Sequence, residues 1–190
     1  MRVSREVAAA NRARIIAMAS NLFREKGFNG IGVADIMQAA DLTHGGFYGH
    51  FKSKDELVVE ACETALAKAA LTWAQRAADT PERPLEALYK EYLSPGKREQ
   101  AGRSCCFAVL GADAARQGKP VRAAFAAGLK PLIDILAKFV PGASKAARRR
   151  KALAVMSQLV GAMVLARAVD DPALSDEILA AAKAELLRGQ

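Results

Sequence analysis

The 190 residues carry a formal net charge of +8, with 52% apolar and 25% charged residues, 14 glycines, 7 prolines and 3 cysteines. That composition excludes wholesale disorder, a collagen-like repeat and a disulfide-stapled scaffold. Sparse, odd-numbered cysteines point to a reducing compartment, and Arg2, Arg5, Arg12 and Arg14 leave no apolar stretch for a secretory signal, so a cytoplasmic location is expected.

Good helix formers dominate throughout and no segment alternates as a strand does, which predicts an all-α fold. From Arg5 to Lys26, Ile15, Ile16, Ala19, Leu22 and Phe23 recur at helical spacing, and Gly27 stands where a left-handed C-terminal cap belongs. Val33, Ile36 and Met37 mark a short second helix ending near Ala40, and Asp41-Leu42 form a tight connection to a very short helical segment, Thr43 to Tyr48. Gly45 and Gly46 lie inside that segment, where each costs about 1 kcal/mol relative to alanine, so something other than helix stability must explain them. Ser53-Lys54-Asp55-Glu56 matches a capping box, with Glu56 expected to reach back to the cap amide.

A long helix from about Lys54 to Ala78 follows, then one from Pro84 to Leu93 and a polar loop from Ser94 to Gly102. Further helices are expected at about Ser104 to Gln117, Pro120 to Phe139 with a kink or restart at Pro131, Ser144 to Val169, and Pro172 to Arg188. The stretch from Ala152 to Ala166 follows the basic run Lys145 to Lys151 but falls short of the roughly 20 apolar residues a membrane span needs, so no membrane partner is expected. The basic run itself reads as a solvated helix start.

A short helix, a tight turn and a second short helix opening with small and polar residues form the helix-turn-helix pattern, whose second helix enters the DNA major groove. Bare backbone at Gly45 and Gly46 permits close approach to phosphates or base edges, while Thr43, His44, Tyr48 and His50 supply hydrogen-bonding groups. Lys52 and Lys54 add positive charge at the start of the long helix. The net charge agrees with an anionic partner.

Residues Phe28 to Leu57, with Val33-Ala34-Asp35-Ile36, Asp41-Leu42, Gly45-Gly46-Phe47-Tyr48, His50-Phe51 and Lys52 to Leu57, resemble the TetR (TetR/AcrR) family of bacterial repressors. The resemblance covers about the first quarter of the chain. It implies an N-terminal helix-turn-helix head at residues 1–56 and a helical effector-binding and dimerisation domain at 57–190. It further implies a homodimer that binds a palindromic operator and is released by a small-molecule inducer. Thr43, His44, Gly45, Tyr48, His50 and Lys54 fall on family positions that face DNA, and Phe47 and Phe51 on positions that pack the head. One departure is Ile31-Gly32 where many members carry Ser or Thr at the cap of the second helix.

The remaining helices supply three expectations. Met156, Leu159, Val160, Met163, Ile178, Leu179 and Leu186 form apolar stripes on the last two helices, assigned to dimerisation. Trp73, Phe107, Phe125, Phe139 and Met163 are candidates to line an inducer cavity, and the scarcity of charge on the apolar faces predicts an apolar or aromatic ligand. Cys105 and Cys106 open a helix beside Arg103, which predicts lowered thiol pKa values and a sensor of oxidants or electrophiles; structural burial is the competing reading, and Cys62 reads as core. Successive helical residues point about 100° apart, so one of the two thiols at most faces a given cavity.

No metal-spaced Cys/His cluster, phosphate-binding glycine loop or nucleophile elbow is present, so neither a cofactor nor a metal is expected and the chain is not read as an enzyme. His44 and His50 lie about 240° apart around a helix and are poorly placed as paired ligands. A helical adaptor that binds only protein is the alternative from another class; it explains the helices but not the basic, glycine-rich segment.

Overall fold

A computed structural model describes residues 4–189, and Arg2 lies outside them. Every regular element among the described residues is helical. Helix α1 (Arg5–Lys26) starts under the Ser4 hydroxyl, which accepts from the Val7 amide, and stops at Gly27, whose φ of 76° lies in the left-handed region that glycine enters without strain. Helix α2 (Val33–Ala39) has a glycine cap; the Asp35 carboxylate instead accepts from the Gly32 amide at 3.0 Å. Asp41 takes the turn at φ 54°, a conformation aspartate tolerates better than most side chains. The segment His44–Gly49 that follows is a 3-10 helix.

Helix α3 (Lys54–Asp79) carries the Ser53 cap, with the Ser53 hydroxyl accepting from the Glu56 amide at 3.2 Å. Glu56 does not close the box on the cap amide as expected. It reaches one residue further and accepts from the Lys52 amide, tying down the end of the reading turn. Helix α4 is Pro84–Tyr92. The expected polar loop is in fact a structured strap, formed by helix α5 (Pro95–Glu99) and a 3-10 turn at Ala101–Arg103. Pro95 and Gly96 look like loop punctuation, yet the Ser94 hydroxyl accepts from the Lys97 amide and proline suits the first turn of a helix.

Helices α6 (Cys106–Ala115), α7 (Lys119–Phe139), α8 (Lys145–Ala168) and α9 (Pro172–Arg188) complete the chain. No restart occurs at Pro131: α7 runs through it, and Leu132 and Ile133 are fully buried immediately beyond. By length and composition α8 does meet the criterion for a membrane span, with a mean hydropathy of 1.3 over 18 residues, contrary to the sequence expectation. Its Leu159 and Met163 face are buried against the rest of the fold, as in a core helix.

Two apolar cores meet along α3. One gathers Ile15, Phe23, Ile36, Phe47 and Phe51 from the head with Leu57 to Leu66 of α3, and with Cys106, Leu110 and Phe125 from α6 and α7. The other gathers Trp73 from the far end of α3 with Leu88, Tyr89, Leu136, Leu159 and Leu179. Each fully buried Leu or Phe contributes about 1.5–3 kcal/mol. The head is thus packed onto the following domain by side chains well past residue 56.

Candidate nucleic-acid interface and effector cavity

The reading turn is held from beneath. Phe47 and Phe51 stack at 5.5 Å with both rings buried, and Tyr48 lies edge-on to Phe47 at 5.3 Å. Arg12 spans Phe51 at 4.6 Å and pairs with Glu60, fixing α1 against α3. Anchored this way, the 3-10 turn presents Thr43, His44, Gly45 and Tyr48 to solvent, Tyr48 with 70% of its surface exposed. Gly46 and His50 are half-buried, and Lys52 is exposed.

A side chain at Gly45 would meet nothing within 4 Å, and Gly45 is not among the residues with positive φ. The fold itself therefore does not require glycine there. Lys54 is less free than the others. Its ammonium donates to the Ile31 carbonyl at 2.7 Å and sits 6.0 Å from the Phe23 ring, so it closes the loop before α2 while adding charge beside the turn.

An open cavity of about 550 Å³ lies between the head and the body. Its walls are Ala17 and Ser20 of α1, Ala65, Ala69 and Trp73 of α3, Tyr92 of α4, Leu132 of α7 and the strap. Trp73 and Cys105 line it as the sequence suggested. Cys106, Phe107, Phe125 and Met163 do not: Cys106 and Phe125 belong to the head core, Phe107 packs edge-on against Phe125 at 5.3 Å, and Met163 is buried in the second core. Phe139 is exposed at the end of α7. The lining is also more charged than expected. Arg24, Lys68, Lys97 and Arg103 surround the cavity with one carboxylate, Glu91, which is already paired with Arg76 and Lys97. These cations sit at helix positions and in the strap, where no apolar periodicity announces a cavity.

The two adjacent thiols part, Cys105 being the extended cap residue before α6 and Cys106 the first residue inside it. Cys105 faces the cavity, while Cys106 is buried behind it, 3.7 Å from an Arg24 nitrogen that donates toward the sulfur. The expected lowering does not hold for Cys106. Burial pushes its thiol pKa up, and Arg24 offsets only part of that. Cys62 is buried in the head core and is pushed up to about 12 for the same reason.

Beside Cys105, the Tyr92 hydroxyl is buried and makes no hydrogen bond; burial first, then the neighbouring thiol, raises its pKa. Arg167 lies close by. Its Nη2 and Nε donate to the carbonyls of Lys97 and Arg98 at 2.7 and 3.0 Å, while its buried Nη1 has no partner. Sequence reasoning missed both residues, because an orphaned hydroxyl leaves no trace in periodicity.

The stripe assigned to dimerisation faces inward. Met156, Leu159, Met163, Leu179 and Leu186 are buried in the chain's own core, and Val160 and Ile178 are half-buried against it. Helix α8 is apolar on both sides, and its outer side, Leu153, Val164 and Leu165, is the exposed one.

Residues 15–61 match the family model described as "Bacterial regulatory proteins, tetR family". An uncharacterised HTH-type transcriptional regulator, YerO from Bacillus subtilis, is 42% identical over 50 residues, 26% of this chain and 17% of that protein. The HTH-type transcriptional repressor KstR2 from Mycolicibacterium smegmatis is 32% identical over 84 residues, 42% of this chain and 38% of its own length. The matches therefore span well under half of these relatives. The fold likeness extends over the whole chain: the crystal structure of reduced NemR from E. coli superposes with a TM-score of 0.79 at 21% identity, covering 94% of this chain and 96% of that one. The family model is seated on residues 15–61 and the same all-helical architecture as in NemR continues behind them, so the chain carries a TetR-family head on a fold it shares with that structure.

Proposed function

We propose that the chain is a homodimeric, cytoplasmic repressor that binds a palindromic DNA operator through Thr43, His44, Gly45, Gly46, Tyr48, His50, Lys52 and Lys54, and that a small molecule in the cavity releases it. The observation that carries this reading is the exposed, glycine-bearing turn held rigid by Phe47 and Phe51, whose Gly45 the fold has no internal use for. Residues 1–56 supply the reading surface and, through Ala17, Ser20 and Arg24, part of the cavity wall, and 57–190 the rest of the effector surface and the dimer surface. A dimer axis between the outer faces of α8 and α9, around Leu153, Val164, Leu165 and Leu174, would cover the apolar side chains these helices leave exposed.

Fluorescence anisotropy with duplex DNA from upstream of the chain's own gene tests the reading, with scrambled competitor present and salt titrated. Tight, competitor-resistant binding that weakens steeply with salt is expected. Binding equal to the scrambled duplex at every salt concentration would sink it. Sedimentation of Leu165→Asp tests the dimer: a shift to monomer is expected, and an unchanged species would move the interface elsewhere.

A second reading concerns release by oxidants or electrophiles at Cys105. It is favoured by the position of this thiol, open to the cavity beside two donors that lack acceptors, Tyr92 and Arg167. NemR, similar in fold, was crystallised in a form described as reduced. Cys105→Ser is expected to retain operator binding and lose its release by peroxide; unchanged release refutes this reading.

A further inference from the structure

The cavity combines three features that an uncharged apolar ligand would leave unused. Its strap end is cationic: Lys97 and Arg103 stand there, with Arg24 and Lys68 on the neighbouring helices, against the single carboxylate Glu91 that two cations already occupy. At that same end Tyr92, only 6% exposed, lines the cavity, and its buried hydroxyl has no hydrogen-bond partner. Behind it the unpartnered Nη1 of Arg167 belongs to a cation whose other contacts are neutral carbonyls. Buried donors without acceptors are costly, and an anionic acceptor in the cavity relieves the Tyr92 hydroxyl while the Arg167 charge behind it adds to the attraction. Ala17, Ala65, Ala69 and Leu132, with Trp73 packed edge-on against Tyr92 at 5.8 Å, supply apolar wall to a ligand body, and Thr64, Lys68 and Thr72 stand between them on α3.

The geometry points to an amphipathic organic carboxylate as the class of ligand this cavity takes, its head accepting from the Tyr92 hydroxyl at the strap end and its apolar body lying along α1 and α3 toward Ala17 and Ala65. This specifies the effector of the repressor reading and rests on it. The basic rim concentrates anions at the mouth, and the volume of about 550 Å³ is ample for a medium-length acid.

Trp73 is the chain's single tryptophan and lines the cavity, so its emission reports occupancy directly. The experiment titrates the full chain with decanoate, decanol and decyltrimethylammonium, three probes with one tail and different heads. Decanoate is expected to shift Trp73 emission saturably and to bind at least about tenfold more tightly than decanol, with the cation weaker still. Tyr92→Phe is expected to remove most of that preference without lowering the melting temperature, because it deletes a hydroxyl that makes no hydrogen bond. Lys97→Gln with Arg103→Gln is expected to weaken decanoate and leave decanol unchanged.

Equal affinity for decanoate and decanol, or an unchanged preference in Tyr92→Phe, overturns the inference. Anisotropy with the upstream duplex is read on the same samples. Intact DNA binding without a decanoate response sinks the ligand class alone, whereas a decanoate response in a chain that binds no DNA sinks the repressor reading and leaves the cavity's chemistry standing.

Discussion

The Arg24 guanidinium donates from Nε to the Gly102 carbonyl at 2.7 Å, so one side chain of the first helix holds the strap that roofs the cavity. Its other nitrogens reach Ser20, Asn21 and Cys106. At the strap's other end, Arg98 donates to Ser175 at 2.8 Å and Asp176 at 2.6 Å on α9, and Arg167 of α8 holds two strap carbonyls. The strap is therefore fixed at one end to the reading head and at the other to the helices assigned to the dimer. Arg24→Ala is expected to lower stability by about 1–3 kcal/mol, several degrees in calorimetry, and to weaken the effect of cavity ligands on DNA binding. An unchanged melt together with unchanged release would show that the strap transmits nothing.

Gly128 gives a prediction of opposite sign to helix propensity. A Cβ there would lie 2.5 Å from Cδ1 and 2.6 Å from Cβ of Leu66, at the closest approach of α7 to α3. Gly128→Ala is expected to destabilise by about 1–3 kcal/mol, although alanine is ordinarily the better helix former. Gly111 in α6 has open space, so Gly111→Ala is expected to stabilise by up to about 1 kcal/mol. Urea denaturation of both variants checks the pair; a stable Gly128→Ala would mean the two helices separate freely.

Surface substitutions on the reading turn should separate binding from folding. Tyr48→Ala and Lys52→Ala are expected to change stability by no more than about 0.5 kcal/mol while weakening operator binding. Lys52→Ala is also expected to reduce the salt slope of log K by about 0.9 if the ammonium meets one phosphate. Anisotropy at several salt concentrations reads both; a parallel loss of melting temperature would assign these residues to the fold instead.

The three cysteines should react in order of access and ionisation. Iodoacetamide at neutral pH is expected to modify Cys105 first, with Cys62 and Cys106 protected until the chain unfolds, which intact mass and peptide mapping resolve. With Cys62 raised from 9.0 to about 12, the folded chain keeps the thiol protonated while the unfolded chain ionises near 9. Stability from this group is thus fully present below pH 9 and is lost as pH rises toward 12. Tyr89, raised from 10.0 to about 12, adds to the same alkaline loss. Cys62→Ala should flatten the decline; an identical alkaline limb would show that the thiol ionises with little penalty.

The parts legible in the sequence were those governed by local chemistry. Gly27 as a terminator, Ser53 as a cap and Asp171-Pro172 as a helix start each act through their own backbone neighbours, and the helices follow. The reading turn was legible because Gly45 and Gly46 violate helix propensity for no local gain. What failed depended on which way an element faces. Helix α8 carries Leu159 and Met163 on one side and Leu153, Val164 and Leu165 on another, and no periodicity tells which side its own chain buries. The strap was read as loop because its stability comes from Arg24 and Arg167 and from the partners of Arg98 on α9, all distant in sequence. The cationic lining was invisible for the same reason, since Arg24, Lys68 and Arg103 converge only in three dimensions.

Helix α3 is a single 26-residue rod whose first half belongs to the head core and whose second half belongs to the body core. At 1.5 Å per residue, about 28 Å separates Trp73, at the cavity, from Lys54, beside the reading turn. A tilt of about 5° at the cavity end would swing the other end by roughly 2.5 Å, close to the 3.4 Å rise of one base pair. In the proposed dimer the two heads must match a fixed spacing along DNA, so a lever of this length would turn a small angular adjustment around a ligand into a mismatch of nearly one base-pair step.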